Sequence, residues 1–338
     1  MINFQYTRAT DVADAVRQIA IDPSAKLIAG GTNLIDLMKK YVERPSRLID
    51  ITRLPLGKIE ETTDGGLRIG ALVANSDLAY DPRIEARYPL LGSAILAGAS
   101  QQLRNMASTG GNLLQRTRCL YFYDTSTPCN KREPESGCSA IGGINRMHAI
   151  LGTSEHCIAA HPSDMCVALA LLEATVHVTG PAGNRAIAFA DFHRLPGDMP
   201  QRDTNLQPDE IVTAVELPAR GFTTNYTYLK IRDRLSYAFA LVSVAVGLDL
   251  EGGTIKDGRF ALGGVAHKPW RDREVEAQLR GASPTRESFA RAAETLLRGA
   301  RGFGYNDFKI ELARRAILRT LGQAARGTPQ SQADKRIK

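Results

Sequence analysis

The sequence predicts an α+β protein with two domains of unequal size. Its 338 residues are more than one domain usually contains, and short apolar strands alternate with amphipathic helices through residues 1–220. The composition changes near Arg220 and Gly221, and the three strands beyond them alternate apolar and polar residues between glycine-rich turns. We therefore expect a first domain over 1–220, a smaller α+β domain with an antiparallel sheet over 221–327, and a disordered polar tail over 328–338.

Hydrophobic periodicity gives the order of the elements. Apolar residues recur at helical spacing in 11–21, and again from Leu34 to Tyr41 after two glycines, with a short buried strand, 26–29, between these helices. Residues 115–161 show no such periodicity, and an irregular stretch of this length is usually functional. The other predicted strands are 47–51, 67–71, 174–179, 226–232, 240–250 and 254–263, and the other helices are 89–99, 164–173, 273–280, 286–297 and 307–323.

Charge and composition argue against several classes of protein. The formal net charge is +7 and the basic excess lies from Arg271 onward. No nucleic-acid-binding motif accompanies it, so we interpret it as a solvated helical surface or a face for an acidic partner. No apolar run is long enough for a membrane span, and the N-terminus has no export signal. The sequence thus predicts no nucleic-acid partner, no membrane span and no export address of its own.

Two glycine pairs lie where a backbone would approach a ligand closely. Gly30 and Gly31 join a predicted strand to a helix, whose free N–H groups and positive end suit a pyrophosphate. Gly110 and Gly111 form a second pair, just before Asn112. Two such loops in one domain indicate a long ligand with an extended phosphate chain. Neither loop has the spacing of a dinucleotide or P-loop fingerprint, so a turn without a ligand is the alternative at both places.

These two loops, together with Ser163-Asp164 and Lys230-x-Arg232-Asp233, resemble the FAD-binding subunits of the xanthine dehydrogenase family of molybdenum hydroxylases. The motifs occur in the family's order, and the resemblance covers nearly the whole chain. It implies a two-part FAD-binding domain of the PCMH or vanillyl-alcohol-oxidase type, followed by the smaller α+β domain.

The same resemblance implies which residues bind FAD. The first loop would wrap the pyrophosphate, the second would line the same groove, and Asp164 would bond the ribityl or ribose hydroxyls. Lys230 would lie near the flavin ring, where a cation favours the reduced flavin. From the residues alone, Asp164 can equally be a helix N-cap and Lys230 a solvated strand residue. The implied set is Leu27, Ile28, Ala29, Gly30, Gly31, Thr32, Asn33, Leu34, Thr109, Gly111, Asn112, Asp164, Ile211 and Lys230.

Four of the five cysteines lie in the irregular segment 115–161. Their spacing matches neither a zinc ribbon nor a ferredoxin, so an iron–sulfur cluster, a zinc ion, disulfides and free thiols all remain open. A metal site would explain how a segment without a hydrophobic pattern holds one shape. Neighbouring cations are expected to offset thiolate charge and to lower the thiol pKa values. The four cysteines are Cys119, Cys129, Cys138 and Cys157, and the cations are Arg116, Arg118, Lys131, Arg132 and Arg146.

The fifth cysteine, Cys166, lies in an apolar helix and is interpreted as a small buried hydrophobic residue. His156 and His161 are candidates for hydrogen-bond donors around the metal site, but not for ligands. The stretches 115–119, 128–132 and 136–138 resemble the subgroup of flavin subunits that carry an extra [4Fe-4S] cluster, such as those of bacterial periplasmic aldehyde oxidoreductases. That resemblance implies one [4Fe-4S] cluster held by the other four cysteines.

The function implied by the resemblance is electron relay in an aldehyde oxidoreductase complex. A large partner would oxidise the substrate at a molybdenum cofactor, a small partner with [2Fe-2S] clusters would pass on the electrons, and FAD here would deliver them to an external acceptor. The complex would be a heterotrimer or a dimer of one, periplasmic through co-export with a partner bearing a twin-arginine signal, and otherwise cytoplasmic. The alternatives are a flavin subunit like that of 4-hydroxybenzoyl-CoA reductase, a self-sufficient FAD oxidase and a zinc-stabilised scaffold.

Overall fold

The computed structural model describes residues 1–327, so the predicted disordered tail lies outside the described residues. These described residues form three sheets with helices packed around them, and the predicted mixture of helices and strands is confirmed. No helix in residues 1–327 is both long and apolar enough to cross a membrane.

A small parallel sheet opens the chain. Its strands are β1 (Gln5–Arg8), β2 (Lys26–Ile28) and β3 (Arg47–Asp50), in the order β1-β3-β2, so that one edge of β2 is unpaired within this sheet. Helix α1 (Val12–Ile21) begins after Asp11, whose side chain accepts from the N–H of Asp14. Helix α2 (Leu34–Lys39) is shorter than predicted, because Tyr41 takes a positive φ and is exposed.

A five-stranded antiparallel sheet forms the centre of the first domain, in the order β4-β5-β8-β6-β7. Its apolar face packs against helices in the largest hydrophobic core. The strands are β4 (Ile59–Glu61), β5 (Leu67–Gly70), β6 (Thr175–Gly180), β7 (Gly183–Ala188) and β8 (Ile211–Leu217). The helices are α3 (Asn75–Ala79), α4 (Pro82–Arg87), α5 (Pro89–Ala97), α6 (Gln101–Met106), α7 (Thr109–Leu113), α8 (Leu120–Tyr123), α9 (Asp164–Leu171) and α10 (Phe189–Phe192).

The last sheet is antiparallel, in the order β11-β10-β9, and is buried on both faces. Along β10, Val244 and Val246 face one hydrophobic core with α13, whereas Ala245 faces the core that contains α9. This explains why seven consecutive residues of β10, from Val242, are buried where a one-sided sheet would alternate. The elements are β9 (Asn225–Ile231), β10 (Val242–Glu251), β11 (Thr254–Gly263), α11 (Arg273–Ala277), α12 (Arg286–Leu296) and α13 (Phe308–Ala325).

Candidate cofactor and metal sites

A cavity of about 520 Å³ lies between the two glycine loops and the start of α9. Its volume is within the usual range for a site that binds an organic ligand. The loop 233–239 of the C-terminal region closes one side. Of the residues predicted to bind FAD, those on the cavity wall are Thr32, Asn33, Gly111, Asn112 and Asp164.

The first glycine loop leaves polar backbone groups free next to this cavity. Within residues 1–327, the N–H groups of Gly30, Gly31, Thr32 and Asn33 donate no hydrogen bond, although all four residues are half-buried. Buried N–H groups without an acceptor are uncommon, which favours a ligand with acceptor oxygens. Both positions require glycine. Gly31 has a φ of +71°, which residues with a side chain rarely adopt, and a Cβ on Gly30 would lie 1.7 Å from the carbonyl oxygen of Met106.

The second glycine loop is held by its own hydrogen bonds. Ser108 accepts from the N–H of Gly111 at 3.2 Å and so caps α7. Thr109 is fully buried and donates to the carbonyl of Val73 at 2.9 Å, away from the cavity wall. Asn112 accepts from the hydroxyl of Ser163 at 2.5 Å, which joins the loop to the start of α9. Thr109 therefore supports the loop, whereas Gly111 and Asn112 reach the cavity.

Asp164 and Lys230 form a buried ion pair beneath the cavity. The Lys230 ammonium lies 2.8 Å from the Asp164 carboxylate, with side chains that are 1% and 7% exposed. Tyr228 donates to the same carboxylate at 2.7 Å. Ser163 is the N-cap of α9, so the N-cap interpretation of Asp164 is wrong, as is that of Lys230 as a solvated residue. Lys230 lies behind Asp164 and not on the cavity wall, so its predicted influence on a flavin ring would act through Asp164.

The remaining predicted FAD residues lie off the cavity wall. Ile211 is 1% exposed and packs in the core beneath the small parallel sheet. The residues of the first loop's flanks are half-buried beside the cavity; they are Leu27, Ile28, Ala29 and Leu34.

Arg104 is a cavity residue that the sequence analysis did not identify. Its guanidinium donates to the carbonyl of Gly98 at 2.6 Å and is 8% exposed. Burial lowers the pKa of Arg104, and no carboxylate in residues 1–327 forms an ion pair with it. A buried cation without an anionic partner suits a phosphate. Only the tertiary structure shows that Arg104 is buried, so no sequence pattern around it indicates a binding residue.

The four cysteines of segment 115–161 converge on one small cavity of about 10 Å³, which they line with Lys131 and Phe122. Cys129 and Cys138 face each other across a short antiparallel bridge. All five cysteines lie within the described residues, and none forms a disulfide. Within residues 1–327, none of these four cysteines belongs to a group of three or more His, Cys, Asp or Glu side chains whose possible metal-ligating atoms all lie within 4.8 Å of one another.

The segment has a small apolar core of its own, which the sequence analysis did not predict. Phe122 and Ile158 are buried against the cysteines and against Leu37 of α2. Hydrogen bonds also join the segment to the C-terminal region: Asn145 donates to the carbonyl of Phe303 at 2.7 Å, and Lys309 to that of His148 at 2.7 Å. A metal site is therefore not required as the sole explanation for the shape of this segment.

Two of the thiols, those of Cys119 and Cys157, do not have the low pKa values that the sequence predicted. Burial raises the pKa of Cys119 to about 12 and that of Cys157 to about 11, although the Lys131 ammonium opposes the rise at Cys157. The Lys131 ammonium itself lies 2.5 Å from the carboxylate of Asp203, and Arg116 also pairs with Asp203. These cations serve first to join elements of the fold. Thiolates at this site would need the charge of a bound metal.

A second cavity, of about 110 Å³, lies between the cysteine site and the larger cavity. Cys119 and His148 lie on its wall with Ser163 and Asp164, and the last two also line the larger cavity. The cysteine site and the candidate FAD site are therefore neighbours. The first glycine loop contributes to this link, since Asn33 accepts from the N–H of Arg116 at 2.8 Å.

Cys166 is fully buried in α9, as predicted, but it is not surrounded by apolar groups alone. Its sulfur lies within 4.8 Å of ring nitrogens of His161 and His193. Burial lowers the pKa of His193 to about 4 and that of His161 well below its ordinary value, so both rings are neutral. His161 thus lies beside Cys166. His148, which was not a candidate from the sequence, makes a hydrogen-bond contact with one of the four other cysteines, Cys119.

Comparisons with known proteins agree with this architecture. Residues 2–220 match the model of the FAD binding domain in molybdopterin dehydrogenase, and residues 226–324 match that of the CO dehydrogenase flavoprotein C-terminal domain. The chain belongs to the family of FAD-binding subunits of molybdenum hydroxylases, as its motifs predicted. Its relatives are oxidoreductase subunits that act as parts of complexes, and the chain is such a subunit.

Individual relatives cover nearly the whole chain. The aldehyde oxidoreductase FAD-binding subunit PaoB of Escherichia coli K12 is 51% identical, over 95% of this chain and 98% of PaoB. The glyceraldehyde dehydrogenase medium chain of Sulfolobus acidocaldarius is 29% identical, over 82% of this chain and 81% of the relative. Among solved structures, carbon monoxide dehydrogenase from Hydrogenophaga pseudoflava superposes with a TM-score of 0.75 at 27% identity, over 96% of this chain and 98% of that one.

Proposed function

We propose that this chain is the FAD and [4Fe-4S] subunit of a molybdenum-dependent aldehyde oxidoreductase. In this proposal a large partner oxidises an aldehyde at its molybdenum cofactor, and a small partner with [2Fe-2S] clusters passes the electrons to this chain. The identity to an aldehyde oxidoreductase FAD-binding subunit over nearly the full length of both chains is the observation that favours aldehydes over the substrates of more distant relatives.

The candidate FAD site has the chemistry that an extended phosphate ligand requires. Within residues 1–327, the N–H groups of Thr32 and Asn33 donate no hydrogen bond and the guanidinium of Arg104 has no carboxylate partner, and these three residues line one cavity. Both kinds of donor bind phosphate oxygens well. Asp164 offers a carboxylate on the same wall for the sugar hydroxyls. FAD, when bound, supplies the electron-accepting and electron-donating chemistry, and this chain's residues orient it.

The cysteine site favours a cluster over a single ion or disulfides. A tetrahedral zinc ion with bonds of about 2.3 Å would bring its sulfurs to about 3.8 Å of one another. The described cysteines show no such close group, although all four surround one cavity and none is paired. A four-iron cluster binds one cysteine at each iron and so holds the sulfurs farther apart than one ion does. We therefore assign Cys119, Cys129, Cys138 and Cys157 as its ligands.

The proximity of the two sites supports electron relay. The 110 Å³ cavity separates Cys119 from residues that also line the candidate FAD cavity. Electrons from the partners would reach FAD and leave to an external acceptor, a ferredoxin, a quinone, oxygen or NAD. For location, we propose export to the periplasm as cargo of a partner bearing a twin-arginine signal. Finding this chain in the periplasm of cells that lack both partners would contradict that route.

One experiment tests both cofactors. The complex is purified without oxygen, and its visible spectrum, FAD, iron and zinc contents are measured for the wild type and for alanine variants of each cysteine. We expect flavin bands with a broad iron–sulfur absorbance, which each of the four ligand variants weakens. Cys166→Ala is the matched control and should keep its iron. Zinc in place of iron, or a loss of iron in Cys166→Ala alone, would refute the assignment.

A further inference from the structure

His148 makes a buried polar contact with one of the assigned ligands. Its Nε2 lies 3.1 Å from the sulfur of Cys119, and the residue is only 4% exposed. The two residues are 29 positions apart in the chain, so the fold creates this contact. The free sulfur of Cys119 stands here for the thiolate that a cluster would bind.

The position of His148 is fixed from several directions. Its N–H donates to the carbonyl of Asn145 at 2.9 Å, and its carbonyl accepts from the buried ammonium of Lys309 at 2.7 Å and from Asn306. The ring packs near that of Tyr121. The imidazole therefore has little freedom to turn away from the sulfur.

The chemistry of the two groups sets the direction of the hydrogen bond. A metal-bound thiolate has no proton, so its sulfur is only an acceptor, and Nε2 must carry the proton. The other ring nitrogen, Nδ1, is buried and has no partner among residues 1–327, so no acceptor competes for that proton. A neutral imidazole with its single proton on Nε2 satisfies both observations.

We propose that His148 is a positioning residue that donates a hydrogen bond to the Cys119 sulfur and raises the reduction potential of the cluster. The inference rests on the proposed cluster. Reduction adds negative charge to the cluster, and a hydrogen bond to a ligand sulfur stabilises the reduced form more than the oxidised form. Cys119 is the ligand on the side that faces the 110 Å³ cavity and the candidate FAD site. His148 therefore tunes the cluster at its flavin-facing ligand.

The test measures the midpoint potential of the cluster in the anaerobic complex by redox titration, followed through its electron paramagnetic resonance signal. His148→Phe removes the donor and keeps a flat ring, whereas His148→Gln keeps an N–H donor. His156→Phe is the matched control, because His156 also lines the cysteine cavity and adjoins Cys157, but it is exposed, and within residues 1–327 no hydrogen bond joins its ring to a ligand sulfur. Iron and FAD contents are measured on each variant.

We expect a lower potential in His148→Phe, a value near the wild type in His148→Gln, and no shift in His156→Phe. Loss of iron in His148→Phe with retention in His148→Gln would also support the donor role. An unchanged potential in iron-replete His148→Phe would refute this inference alone. Loss of iron in both His148 variants would overturn it by making His148 a ligand or a structural residue. A wild type without iron would refute the proposed cluster itself.

Discussion

Removal of the Lys230 ammonium should reveal how strongly the buried ion pair joins the first domain to the C-terminal sheet. Lys230 lies on β9 and Asp164 at the start of α9, so the pair bridges the two regions. In Lys230→Met the Asp164 carboxylate would stay buried with only the hydrogen bond from Tyr228. An uncompensated buried charge is far more costly than an exposed one.

The expected magnitude follows from the burial of both partners. Breaking a buried pair from one side costs about 3–5 kcal/mol, which corresponds to about 6–20 °C in melting temperature for a domain of this size. The double variant Asp164→Asn/Lys230→Met removes both charges and keeps the partner of Tyr228, so it should recover most of the loss. Arg220→Met breaks a half-exposed pair with Asp249 at 2.8 Å and should cost less than about 1 kcal/mol.

Thermal unfolding of FAD-free protein followed by circular dichroism gives the comparison, since bound ligand also stabilises the folded state and Asp164 is one of the proposed FAD residues. The three variants and the wild type are measured at one pH and ionic strength. The reasoning would be refuted if Lys230→Met and Arg220→Met lost the same stability, or if the double variant were no more stable than Lys230→Met.

Three further predictions concern the first glycine loop, the buried His193 and Cys166. Gly30→Ala places a Cβ 1.7 Å from the Met106 carbonyl oxygen, so we expect this variant to lose bound FAD, as measured by absorbance. In the control Gly142→Ala the new Cβ meets nothing within 4 Å, and FAD should be retained. Full FAD occupancy in Gly30→Ala would contradict the proposed site. The pKa of His193 is about 4 when folded and 6.5 when unfolded, so the unfolded state takes the proton first and stability falls as pH drops between those values. Between those values His193 contributes about 1.4 kcal/mol per pH unit to the slope of unfolding free energy against pH. Denaturant titrations of His193→Gln at several pH values should therefore show a shallower slope than the wild type. An unchanged slope would exclude this residue as a source of the pH dependence. Cys166→Ala should cost about 1 kcal/mol in unfolding free energy, and a much larger loss would mean that its contact with His161 matters more than its packing.

The elements that the sequence predicted well are those with strong local patterns. The strand expected at 254–263 is β11 (Thr254–Gly263), and the helix expected at 11–21 is α1 with its Asp11 cap. Tyr41 fitted a helical spacing, but the chain turns at that residue with a positive φ. Local spacing cannot reveal such a turn, because the tertiary packing of α2 decides where the helix ends.

The site residues that the sequence missed depend on contacts between distant parts of the chain. Arg104 was missed because its burial depends on the packing of α6 against α3, and His148 because its partner is far away in sequence. The sequence also could not show that Lys230 is buried in an ion pair with Asp164, and its place near a flavin ring stays a prediction. The glycine loops could be identified from the sequence because glycine itself indicates a backbone with positive φ or a close approach to another group. The ligand set of the cluster stays a prediction.

The apolar core and the hydrogen bonds of segment 115–161 have a consequence for biogenesis. Phe122, Ile158 and the contacts of Asn145 and Lys309 help to hold the segment in shape. We therefore expect part of the segment to be ordered before any metal is bound, in contrast to small metal-dependent domains that are unfolded without their ion. For the proposed cluster, iron would then enter a largely folded segment, through the half-buried side marked by Cys138.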